Sequence, residues 1–513
     1  MSLHGSDHHC QSKEHTKKAQ PFDHPGHSSL TIANKSITTS KLLLILFLLA
    51  LGLRLLVGFQ TLVVARDGVF YLDLAHRFQQ GDYGSLLASS KPLYPIIVAA
   101  LAELIGNLEW TGKLVSAFFG ALTIFPLFFI GRRLFGEKAA YLATLLYMFH
   151  PKLLKLSGET ITDTTYIFFL MAVAWQAFEA ISQGRRTNFI LAGLLTTGVF
   201  LTRFEGMGMA LLIGLWTIGY LGVKQRRPAL FWAQRLMLMA LPSLALIVPY
   251  ILYLRYFTGY WFPLSGVFLT VFNPTTYHLN WALPGIGFMF RAAGEMFNPL
   301  LWALLIFGLI RSGERQTGWS DMFIISIVVS YLAFIYLGFL SLGRDLVSKR
   351  YLLHYLSFLL PWAGYGLAKA LEGVAFWRPR LVVTLALSII LIGQASPSLK
   401  VHRRDKLYWV ELGGWIRARH MGRPLVMTSD SRAGYYAGGE SIGLPRRAKS
   451  SPEEILRQAK TRRIDYFVIQ KKDTDYLGYD PIPVLLTRFH LVRTLYDHKG
   501  DKITVLARGA RPS

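Results

Sequence analysis

Long apolar stretches separated by short polar ones dominate the chain as far as residue 396. A membrane-crossing helix needs about 20 mostly apolar residues. By that measure the pattern predicts about eleven spans, near 41–59, 112–131, 139–156, 163–181, 189–203, 206–222, 235–255, 298–311, 322–341, 350–370 and 380–396. The segment 92–108 is apolar too, but Pro92, Pro95 and Glu103 interrupt it, so it reads as a re-entrant or interfacial helix. After the first span, Phe70, Leu74 and Phe78 recur every four residues, which predicts an amphipathic helix lying in the plane of the interface.

The pattern changes at both ends. Residues 1–40 are polar and crowd His4, His8, His9, His15, His24 and His27 together, which predicts a disordered tail rather than a signal peptide. Residues 397–513 read as a small α/β domain. A helix is predicted near 407–420, a strand in PLVMTS (424–429), and a helix started by Ser451-Pro452-Glu453-Glu454. IDYFVIQ reads as a strand, and FHLVRTLY with KITVLAR as a hairpin.

Composition agrees. Charged residues make up 17% and hydrophobic ones 52%, with mean hydropathy +0.35, whereas soluble domains carry roughly 25% charged residues. A purely soluble enzyme is excluded, and a single cysteine, Cys10, excludes a disulfide framework or a cysteine-based zinc site. The net charge of +25 borders apolar spans or sits in the tail domain, where 23 basic residues face 12 acidic ones. Anionic membrane lipids are therefore the expected partners, and no nucleic acid is. Arg132-Arg133, Arg185-Arg186, Arg226-Arg227, Arg311 with Arg315, and Arg378 with Arg380 fall at alternate span ends, on the side of the basic amino terminus. That side is predicted to be cytoplasmic. Eleven spans would then put residues 397–513 outside a plasma or inner membrane.

Three polar sets break the apolar background on the predicted external side, where charge at membrane depth marks function by default. The first is Arg66-Asp67-Gly68 with Ser90-Lys91-Pro92. Asp67 could take a proton from a hydroxyl or simply cap a helix; Lys91 could bind a lipid phosphate or snorkel. The second runs from Ser157 to Asp163, where a helix would bring Glu159 and Asp163 to one face, to hold a divalent cation, bind sugar hydroxyls or cap a span. The third joins Arg203 and Glu205 to Lys349, Arg350, Tyr351 and His354. Arg203 and Glu205 could be no more than an ion pair in a tight turn. Lys349 and Arg350 could bind phosphate, and Tyr351, Trp281 and Tyr277 could stack on a sugar or serve as belt aromatics.

In their order and shared face, the Arg66-Asp67-Gly68, Lys91-Pro92, Ser157-Gly158-Glu159 to Asp163, Thr202 to Gly206 and Arg350-Tyr351 motifs resemble the GT-C membrane glycosyltransferases. The group is that of dolichyl-phosphate-mannose-protein mannosyltransferase and aminoarabinose-transferase relatives, over roughly residues 40–395. The resemblance implies a polytopic GT-C-like domain over 41–396 that moves a sugar from a polyprenyl-phosphate donor to a lipid, glycan or protein acceptor. It implies that Asp67 is the catalytic carboxylate and that Lys91 contacts the donor phosphate. Asp163 then shapes the site. Arg350 is assigned to the phosphate as well, with Glu159, Arg203, Glu205 and Tyr351 as substrate-binding or site-shaping residues. Gly68 stands where many relatives carry a second acid, which leaves any divalent cation open. Ser90 stands where the aminoarabinose branch has Glu. A transporter or flippase of a lipid-linked or anionic solute is the alternative; it predicts charges near span centres and related halves, which the sequence does not show.

Overall fold

The computed structural model describes residues 25–87, 89, 91–261, 277–314, 318–342, 348–377, 380–445 and 451–509. The tail expected over 1–40 lies mainly outside them, as do Ser90, Arg315 and Arg378. Helix α1, Pro25–Gln60, begins well before the apolar run. The succeeding helices are α2 (Arg66–Gln79), α3 (Tyr83–Leu87), α4 (Leu93–Ile105), α5 (Leu108–Leu122), α6 (Ile124–Phe135), α7 (Glu137–Met148), α8 (Pro151–Ser157), α9 (Asp163–Gln183), α10 (Arg186–Thr202), α11 (Met207–Thr217) and α12 (Ala229–Thr258).

Among the described residues six helical stretches are long and apolar enough to cross a membrane: Thr38–Gln60, Leu108–Phe135, Asp163–Gln183, Phe204–Lys224, Ala229–Thr258 and Trp319–Leu342. A seventh is reached if Leu279–Met296 and Pro299–Gly313, bent by 102°, form one broken span. The other expected spans are helical but shorter or interrupted. His150-Pro151 splits 139–156 because His150 caps a new helix, its ring accepting from the Leu153 amide, with Pro151 in the first turn. The segment 350–370 passes through a 3-10 turn at Ser357–Leu359. The 92–108 segment is the short helix α4, closed by Gly106 in the left-handed region (φ 77°).

Bare glycine backbone brings helices together where the bilayer supplies no hydrophobic drive. A Cβ on Gly193 of α10 would lie 2.1 Å from the Met239 carbonyl of α12. One on Gly366 would lie 2.1 Å from the Leu304 carbonyl, where the Pro299–Gly313 and Leu360–Trp377 helices meet.

The carboxyl-terminal part is a five-stranded sheet, in the order β2-β1-β3-β5-β4, built from β1 (Leu425–Thr428), β2 (Glu440–Ile442), β3 (Tyr466–Gln470), β4 (Phe489–Tyr496) and β5 (Lys502–Arg508). β1 runs parallel to β2 and β3, and the predicted β4–β5 hairpin pairs antiparallel onto β3. β3 is buried on both faces. Tyr466 and Val468 pack with Trp409, Leu412 and Ile416 of the helix Tyr408–Arg417, while Phe467 and Ile469 pack with Ile455 and Ala459 of Pro452–Thr461. Ser451 caps the latter helix as its sequence predicts.

This domain rests on α2 and the end of α1. His402 exchanges backbone hydrogen bonds with Gln60 and Leu62, the Val64 amide donates to the Tyr436 hydroxyl at 2.9 Å, and Arg77 pairs with Glu440 at 3.2 Å. At its sheet edge Asp430 and Arg432 form a buried bidentate pair at 2.8 and 2.6 Å. Burial pushes the Asp430 carboxyl up, but the hydrogen bonds and charge of Arg432 outweigh it and hold it below its ordinary value.

Two outcomes follow from this packing. Gly366→Leu should lower the thermal unfolding temperature of the detergent-solubilised protein clearly, whereas Gly373→Leu, which meets nothing within 4 Å, should leave it within about a degree or two. Arg432→Gln should cost the domain roughly 3–5 kcal/mol at neutral pH by stranding the Asp430 carboxylate. A depressed carboxyl contributes stability above its unfolded pKa and loses it as pH falls, so the deficit should shrink below about pH 4. Hydrogen exchange of the β1 amides against pH would read both.

Candidate active site

The first turn of α2 carries Asp67, two residues after the N-cap Ala65, whose side chain makes no capping bond. Its Oδ2 accepts from Nη2 of Arg350, 283 positions along the chain, while half of the Asp67 side chain stays exposed. Arg350 also lies 3.6 Å from Oδ1 of Asp163 through its Nε, and the same Oδ1 meets Nε2 of His354 at 2.8 Å. Asp163 and His354 are both almost fully buried. Arg350 therefore sits between two carboxylates, one open to solvent and one closed.

A second group adjoins the first. Lys91 Nζ donates to the Tyr71 hydroxyl at 3.1 Å, and that hydroxyl lies 3.5 Å from Thr162 Oγ1. Arg203 is buried at the end of α10, pairs with Glu205 at 2.6 Å and stacks over the Tyr351 ring at 4.3 Å. Lys91 feels the like charge of Arg203 as well as the carboxylate of Glu205. Three cations, Lys91, Arg203 and Arg350, thus share one polar pocket with three acids, Asp67, Asp163 and Glu205. Among the described residues Nη1 of Arg203 and Nε of Arg350 are buried without a hydrogen-bond partner.

Of the residues singled out from sequence, Asp67, Lys91, Asp163, Arg203, Glu205, Arg350 and Tyr351 come together. Glu159 does not join them. Residues 159–162 form bends rather than a helical turn, α9 begins only at Asp163, and Glu159 pairs instead with Arg403 at 2.7 Å. Lys349 turns to Glu295 at 2.6 Å, and Trp281 packs on His278 at 4.2 Å. Of the apolar positions that recur every four residues in α2, Leu74 is buried with Tyr71, Leu72 and Ala75, while Phe70 is 52% exposed. Gly68 has a steric reason: a Cβ there would lie 2.2 Å from Thr160 Oγ1, so no second acid fits at that position.

Sequence reasoning missed Tyr71, Tyr166 and Tyr355, whose hydroxyls wall the pocket; Tyr166 and Tyr355 meet at 3.1 Å. Tyr166 falls three residues after Asp163 and Tyr355 four after Tyr351, a helical-face spacing that would have found them. Nothing local marks Arg403. Among the described residues no group of three or more His, Cys, Asp or Glu side chains could hold a metal ion.

Two cavities flank the pocket. One of about 470 Å³ lies between α2 and the carboxyl-terminal domain, with Phe70, Asp73, His76, Arg77, Arg423 and Glu440 on its walls. The other, about 590 Å³, is an apolar groove between α11 and the helix Trp319–Leu342, reaching from Glu205 and Tyr331 along Leu211, Leu215 and Phe334.

This is the architecture of a GT-C membrane protein, with a polar pocket at the ends of its helices beneath a small α/β domain. Residues 89–253 match the family model described as dolichyl-phosphate-mannose-protein mannosyltransferase. Among solved structures, ArnT from Cupriavidus metallidurans bound to undecaprenyl phosphate is similar, at 15% identity and TM-score 0.58 over 93% of this chain and 98% of that one. So is the archaeal oligosaccharyltransferase AglB from Archaeoglobus fulgidus, in complex with an inhibitory peptide and a dolichol-phosphate, at 12% and 0.54 over 92% and 74%. At those identities the likeness establishes the fold. No curated protein matches the chain.

The pairing predicts a thermodynamic cycle. Arg203→Gln strands Glu205 in a largely buried setting and should cost about 3–5 kcal/mol. Adding Glu205→Gln should recover much of the loss, measured by thermal unfolding of the purified protein; additive losses would show the two side chains to be uncoupled.

Proposed function

We propose that the protein transfers a sugar from a polyprenyl-phosphate donor to an acceptor hydroxyl on a lipid, glycan or protein, with inversion, at the extracytoplasmic face of a cell membrane. The observation that carries this reading is the convergence of Lys91, Arg203 and Arg350, two of them with a buried N–H unpartnered among the described residues, beside a half-exposed carboxylate. Arg203 is paired with Glu205 and Arg350 with Asp67 and Asp163, whereas among the described residues the Lys91 ammonium has only the Tyr71 hydroxyl as a hydrogen-bond partner, which leaves it for a further anion. A phosphate is such an anion, and the family model and the lipid phosphates bound to ArnT and AglB support it as the ligand class.

In this mechanism Asp67 accepts the proton of the acceptor hydroxyl as its oxygen bonds to the anomeric carbon from the face opposite the phosphate. The bond from that carbon to the phosphate oxygen breaks, and its electron pair leaves with the polyprenyl phosphate. Lys91, with the positive charge of Arg203 and Arg350 behind it, stabilises the charge gathering there, an effect typically worth a few kcal/mol. Arg350 orients Asp67 through Nη2 while its Nε faces the buried Asp163. The apolar groove headed by Glu205 and Tyr331 takes the first isoprene units, and the cavity beneath the carboxyl-terminal domain takes the acceptor. The amino terminus is then cytoplasmic and residues 397–513 external.

Membranes holding the wild-type protein, supplied with lipid extract of the native organism and a mixed glycan and protein fraction, should release free polyprenyl phosphate, and the lost sugar mass names the donor. Asp67→Asn should cut that release by about 10²- to 10⁴-fold without weakening donor binding, and Lys91→Met should chiefly raise KM for the donor. Unchanged release in Asp67→Asn, read by lipid mass spectrometry, would refute the mechanism.

A further inference from the structure

We infer that the protein carries a separate binding site for the phosphate of an anionic membrane phospholipid, at the end of the helix bundle remote from Asp67. α9 holds Asp163 at its first residue and Glu179 and Gln183 in its last turns. At 1.5 Å per residue the two ends are about 30 Å apart, so this site is not part of the polar pocket described above. Around the far end lies a cavity of about 630 Å³ whose walls include Arg132, Arg133, Arg185, Gln176, Asn188 and Trp175.

Three features separate this cavity from an ordinary row of basic residues at span ends. First, the guanidinium groups of Arg132 and Arg133 are held against aromatic rings, Arg132 at 5.1 Å from the Phe129 centroid and Arg133 at 5.8 Å from that of Phe178. Phe129 is itself stacked on Trp175 at 4.7 Å and Phe178 on Trp319 at 4.8 Å, so the platforms are fixed by packing. A guanidinium lying on a ring keeps its N–H fork in plane and free for a phosphate. Second, the acid on the wall, Glu179, is bonded to Gln183, and among the described residues none of the three arginines forms an ion pair. Third, the amides of Gln176 and Asn188 add neutral donors to the same space, Gln176 being almost buried.

The walls also say which phosphate. Phe129 and Trp175 line the cavity beside Leu191, which is 47% exposed, as are the neighbouring apolar positions Ile190 and Leu194 at 36% and 42%. A cavity that is cationic on one side and opens onto an apolar helix surface on the other fits a headgroup with its acyl chains attached. A free phosphate would use only the first half.

The test uses the full-length protein in detergent. Phosphatidylglycerol should raise the unfolding temperature and be retained in native mass spectra, phosphatidylcholine should do neither, and millimolar inorganic phosphate should not compete. Arg132→Gln/Arg133→Gln/Arg185→Gln should weaken phosphatidylglycerol binding at least about tenfold. Arg226→Gln/Arg227→Gln should not, although Arg227 lies over Phe231, whose ring a Cβ on Gly184 would meet at 3.3 Å, so this pair shares that end of the bundle. Retained binding in the triple variant, or equal loss in the control pair, would overturn the site in favour of diffuse surface charge. Competition by inorganic phosphate at low concentration would overturn the lipid as its ligand. Should the triple variant fail to fold, Arg185→Gln alone, placed between helices, should still lower the affinity measurably, and its wild-type behaviour would count against the proposal.

Discussion

Arg350 clamped between Asp67 and Asp163 is the interaction on which the pocket depends. An arginine drawn out of water is tolerated only where carboxylates meet it with good geometry, because desolvation costs several kcal/mol for each ion. Here one carboxylate is shut inside against His354 and the other is half exposed. The inner one anchors the guanidinium. The outer one is thereby held at the mouth, oriented but accessible, which is the condition a proton acceptor must satisfy.

Meeting that condition requires distant segments to converge. α2 must be positioned to present Asp67, and Gly68 lets it press against Thr160. The carboxyl-terminal domain holds α2 from above through Arg77–Glu440 and the Ser431 hydroxyl bond to the Arg66 carbonyl. Arg403, in the connection to that domain, neutralises the buried Glu159 beneath it. The domain is thus tied electrostatically to Glu159, just before α9, as well as to α2.

Much of this was legible in the chain. Apolar runs of span length mark the membrane helices, because length against bilayer thickness is a local property. Ser451-Pro452 and the β4–β5 pair were readable for the same reason, since caps and hairpins are set by neighbours in sequence. Length and apolarity alone give six or seven spans among the described residues rather than eleven, because several apolar runs form shorter or interrupted helices, as at His150-Pro151. The membership of the pocket was visible as charge in apolar sequence, but its wiring was not. Asp67 pairs with Arg350 across 283 positions, Asp163 with His354 across 191 and Glu159 with Arg403 across 244, and no pattern in a single sequence specifies such partners. The expected Glu159–Asp163 pair failed on one local fact, the bends at 159–162 that delay the helix.

The most direct test is an experimental structure of the full chain with a polyprenyl phosphate bound. The phosphate is expected against Lys91, with Arg203 and Arg350 beside it, its tail entering the groove next to Tyr331, and with Asp67 still within reach of Arg350. A lipid phosphate seated away from these three cations would contradict this mechanism.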